Sequence, residues 1–76
     1  MFGLGRSAAY KEMEKLLNDI QINLENNYKD LAINARKAAE ERMAQMKAGG
    51  ELSDREYKKL KERLDSYAQR MVGYHH

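Results

Sequence analysis

An all-helical fold follows from three features of this 76-residue sequence: its composition, the spacing of its apolar residues and the placing of its glycines. Ala, Leu, Met, Glu, Lys, Arg and Gln dominate, and these residues give up least on entering a helix. Strand formers are scarce, with one Val, one Phe and no Thr. Apolar residues recur every three or four positions, the period of one helix face. Strong punctuation falls at Gly3 and Gly5, at Gly49-Gly50 and at Gly73. The expected architecture is a single small domain, a three-helix bundle with helices at about 7–25, 27–48 and 53–73 between flexible ends 1–6 and 73–76.

Ser7 is placed to cap the first helix. A stripe then runs through Tyr10, Met13, Leu17, Ile20, Leu24, Tyr28, Leu31, Ala35, Ala39, Met43 and Met46. Nine steps cover the 33 residues from Met13 to Met46, about 3.67 residues per step, the value of a nearly straight helix. Asn26 is a candidate for the left-handed residue that closes one helix, and Asn27 with Asp30 resembles a weak capping box that opens the next. Because the stripe crosses this region in phase, the alternative is one long bent helix plus a shorter antiparallel one. Gly49 is expected to end the second helix in the left-handed region, with Gly50 completing the turn. So short a connection forces the flanking helices antiparallel.

The last helix has the fullest set of signals. Ser53-Asp54-Arg55-Glu56 is a capping box, and Leu52 with Tyr57 forms a hydrophobic staple around it. Tyr57, Leu60, Leu64, Tyr67, Met71 and Tyr74 follow at alternating spacings of three and four, a heptad seam that packs lengthwise on other helices.

The segment Gly50-x-Leu52-Ser53-x-x-Glu56-Tyr57-x-x-x-Lys61-x-x-Leu64 resembles the short C-terminal domain (SHOCT) family, a helical-hairpin motif, over about residues 43–66. Met43 and Met46 stand where that family favours leucine. The resemblance implies a small interaction or oligomerisation module and brings no catalytic residue with it.

The chemistry of enzymes is hard to assemble from what remains. Catalysis needs a nucleophile beside a base, or a perturbed acid/base pair. The two histidines are His75 and His76, after Gly73, where a tail is seldom a preorganised site. Ser7 and Ser53 are accounted for as helix caps. The Glu-x-x-His signature of a di-metal bundle is missing: Glu40 leads to Met43, Glu41 to Ala44 and Glu62 to Asp65. No Cys is present, so disulfides and Cys-type zinc sites are excluded. Neither glycine pair follows a strand, as a phosphate loop requires. The reading is a non-catalytic protein that needs no cofactor or metal.

Charge narrows the partners. Lys and Arg number 14 against 12 Asp and Glu, and neither half of the chain is polarised. Arg55, Lys59, Arg63 and Arg70 fall within about 80° on the last helix, a candidate basic face for nucleic acid, but Glu62 lies among them. Nucleic acid is therefore the second reading. No apolar run approaches the roughly 18 residues of a membrane span, Met1–Arg6 lacks the apolar core of a secretory signal, and Phe2 with Leu4 gives only marginal membrane contact. A cytoplasmic location is expected.

Leu16, Ile22 and Ile33 lie off the main stripe. The 11-residue spacing of Ile22 and Ile33 brings them onto one face after three turns. A chain of this length buries only about 60% of its unfolded surface, so a second apolar row is well explained by a partner. The functional expectation is a helical protein-protein interaction module that pairs with itself, as a homodimer, through Leu16, Ile22 and Ile33.

Overall fold

The computed structural model describes residues 7–73. It contains three helices, α1 (Ala8–Glu25), α2 (Lys29–Ala48) and α3 (Asp54–Arg70), and no strand among the described residues. At 1.5 Å per residue they are about 27, 30 and 25 Å long, well matched for side-by-side packing. The chain breaks between α1 and α2, so the long bent helix does not form. Phe2, Leu4, Tyr74, His75 and His76, and the expected end 1–6, lie outside the described residues. The last helix stops at Arg70, three residues short of expectation, and Met71 to Gly73 form turns.

The starts of α1 and α3 are explained by their caps. Ser7 Oγ accepts from the Tyr10 amide at 3.1 Å, satisfying one orphan donor of α1. At α3 the capping box is complete: Glu56 N–H donates to Ser53 Oγ at 3.1 Å and Ser53 N–H donates to Glu56 Oε1 at 3.0 Å. Helix α2 differs from expectation. Its N-cap is Tyr28, with no side-chain hydrogen bond, and Asn27 belongs to the preceding turn.

Both helix ends close with one and the same hydrogen-bond pattern. After α1, Asn27 N–H donates to Leu24 O at 3.1 Å and Tyr28 N–H to Asn23 O at 2.8 Å. After α2, Gly50 N–H donates to Lys47 O at 3.1 Å and Glu51 N–H to Met46 O at 2.9 Å. Each is a Schellman closure, which requires a left-handed residue just after the cap. That residue is Asn27 at φ 61° and Gly50 at φ 70°, one position later than Asn26 and Gly49, which are right-handed caps.

Ala39, Met43 and Met46 are buried and Ala35 packs against the core, as the stripe predicts, but the first turn of α2, just after the Asn26–Tyr28 turn, departs from it. Tyr28 and Leu31, expected on the stripe, are 55% and 54% exposed, while Ala32 is fully buried. The core of α2 is Ala32, Ala39, Met43 and Met46, facing Met13, Leu17, Ile20 and Leu24 of α1. Alanine at the middle of the α1/α2 contact lets the two backbones approach closely. Helix α3 lays Leu60, Leu64 and Tyr67 against them, its C-cap Met71 is buried as well, and Leu52 with half-buried Tyr57 seals its start. Fully burying a leucine of this kind stabilises by roughly 1.5–3 kcal/mol.

Four cross-links accompany the direction of the helices. Ser7 bonds Glu56, Arg63 bonds Asn18 and Tyr67 bonds Gln21, so α3 runs parallel to α1. Arg42 pairs with Glu12 at 2.7 Å, which sets α2 antiparallel to both. The result is an up-down-up bundle.

Candidate functional site

No polar or charged residue among those described is buried. Nor do any three described His, Cys, Asp or Glu side chains gather closely enough to hold a metal ion. The resolved pKa shifts have surface hydrogen bonds as their leading cause, not burial. Glu12 is lowered first by its bond from Arg42, which is itself raised by the same contact. Glu56 is lowered first by the Ser53 amide, and Lys61 is raised by Asp65. These are structural ion pairs and caps, without the convergence on a cleft that marks a catalytic group. The groove beside Ala8, Lys11, Glu12 and Lys15 is open, on the outer side of α1, and its carboxylate is the one held by Arg42.

The expected interaction residues are divided by the fold. Ile22 is on α1 and Ile33 on α2, so the 11-residue spacing no longer places them on one face. Leu16 and Ile33 are half-buried and pack against the core. Ile22 alone of the three is open, 53% exposed. It lies two positions from both Ile20 and Leu24, and therefore points away from the side of α1 that is buried.

Ile22 has other company. Among the described residues the large apolar side chains left exposed are Ile22, Tyr28, Leu31 and Val72. The cross-links put all four at one end of the bundle. From the Glu12–Arg42 pair, Ile22 lies about 15 Å along α1 and Leu31 about 16 Å along α2 in the same direction. Val72 is five residues beyond Tyr67, which bonds Gln21, so it is level with the turn that carries Tyr28. Together they form a belt around the end where α1 turns into α2. Sequence spacing places Tyr28 and Leu31 on the stripe, but Tyr28 is the N-cap of α2 and Leu31 lies in its first turn, where Ala32 is buried instead.

The basic face is also divided. Arg55, Lys59 and Arg70 are exposed, but Arg63 turns toward α1. Its Nη2 donates to Asn18 Oδ1 at 2.6 Å and to Gln21 Oε1 at 3.3 Å, while its Nε donates to Tyr67 Oη at 2.9 Å. Tyr67 Oη in turn donates to Gln21 Oε1 at 2.9 Å. This network lets the buried Tyr67 keep its hydroxyl satisfied at the edge of the core. It joins α1 to α3 and draws the guanidinium out of the outward-facing row.

None of the described helices is long and apolar enough to cross a membrane. Comparison with protein-family models, with curated proteins and with solved structures finds no match for this chain.

Proposed function

We propose that this chain is a small non-catalytic helical module for protein-protein contact, and that a second copy of itself is among its partners. The observation that supports the reading is the belt of Ile22, Tyr28, Leu31 and Val72, each more than half exposed at one end of a bundle in which the other large apolar side chains among the described residues are buried wholly or in part. Single apolar side chains are ordinary on a surface, whereas four at one level of so small a bundle are open to a common partner. The SHOCT-like hairpin residues point to the same kind of role, and the shortage of core in so small a domain gives association a stabilising effect.

The test is the mass in solution. Light scattering at high micromolar concentration is expected to give more than a monomer, and Leu31→Glu with Ile22→Glu to return the monomer without loss of helicity. A monomeric mass in the unaltered chain at that concentration rules out self-pairing. The nucleic-acid reading keeps only Arg55, Lys59 and Arg70 as outward cations. Salt-dependent binding to duplex DNA or RNA, lost in the triple alanine variant of those residues, would restore it.

A further inference from the structure

We draw no further inference here: the strongest candidate, the belt of exposed apolar side chains at the end of the bundle where α1 turns into α2, belongs to the site already described, and nothing in the structure shows what covers it.

Discussion

Ser7 and Glu56, 49 positions apart, share a hydrogen bond of 3.1 Å that joins the cap of α1 to the capping box of α3. Ser7 Oγ accepts from the Tyr10 amide and donates to Glu56 Oε2, while Glu56 Oε1 receives the Ser53 amide. One carboxylate and one hydroxyl thus organise the start of two helices. Removing the hydroxyl breaks both contacts. Ser7→Ala is expected to destabilise the fold by about 1–2 kcal/mol. For a chain of this size that is a fall in Tm of roughly 4–8 °C per kcal/mol, read by thermal circular dichroism. An unchanged Tm would show that the link contributes nothing.

The same carboxylate sets a dependence on pH. Its ordinary value is 4.5, and the Ser53 amide, assisted by Ser7, holds it lower in the folded chain. The ionised form is therefore favoured by folding. Its stabilisation is fully present above the unfolded value and is lost as pH falls through the lowered folded one. Glu56→Gln preserves the shape of the capping box but cannot ionise. Stability of the variant, followed by denaturant titration from pH 6 to pH 3, is expected to fall less steeply than that of the unaltered chain. The remaining slope includes Glu12, lowered likewise by Arg42. Equal slopes would dismiss the role given to Glu56.

Phase in α2 makes two neighbouring residues behave oppositely. Ala32 has no exposed surface and Leu31 is 54% exposed. Ala32→Leu forces extra volume into the close α1/α2 contact and is expected to lose about 1–3 kcal/mol. Leu31→Ser, measured in dilute monomer, should stay within about 0.5 kcal/mol, as surface changes do. Urea midpoints of the two variants decide the matter, and the reverse order would mean that the phase is wrong.

Gly50 is left-handed, at φ 70°, and a Cβ there would meet nothing within 4 Å. Any effect of Gly50→Ala is thus one of backbone conformation, expected at about 1–2 kcal/mol. Gly49 is a right-handed cap whose Cβ would sit 3.2 Å from the end of the Glu51 side chain, which can move. Gly49→Ala is expected to lose less. Chemical denaturation of the pair checks the order.

Arg63 differs from the cations beside it. Arg63→Ala removes the bonds to Asn18, Gln21 and Tyr67 and is expected to lower stability by about 1–2 kcal/mol. Arg55→Ala, Lys59→Ala and Arg70→Ala should each stay within about 0.5 kcal/mol. If all four fall together, the network contributes nothing to stability.

Much of this architecture is legible in the chain. The capping box at Ser53 and the cap at Ser7 are local signals, and local chemistry determines both. Both connections fall where the asparagines and glycines predict them, yet the left-handed residue lies one position later in each, because a Schellman closure puts it after the cap and not on it. What escapes the sequence is what depends on three-dimensional phase. An alanine carries so little apolar signal that Ala32 could not outbid Leu31 on pattern, though the fold buries the smaller residue. Arg63 sits at the edge of a helical face, where spacing cannot say whether it turns to solvent or to α1. Exposure follows the same division: the spacing leaves Ile22 off the stripe, and it is open, whereas it puts Tyr28 and Leu31 on the stripe, and they are open too.

The up-down-up arrangement also has an electric consequence. Helices α1 and α3 begin at the same end and α2 at the other, so their macrodipoles do not cancel. The remainder is about that of one helix, roughly half an elementary charge at either pole. Ser7 and Ser53 mark the positive pole, and the belt around Tyr28 lies at the negative one. At that end the backbone field adds to whatever the side chains supply, and it fades within a turn of the helix termini.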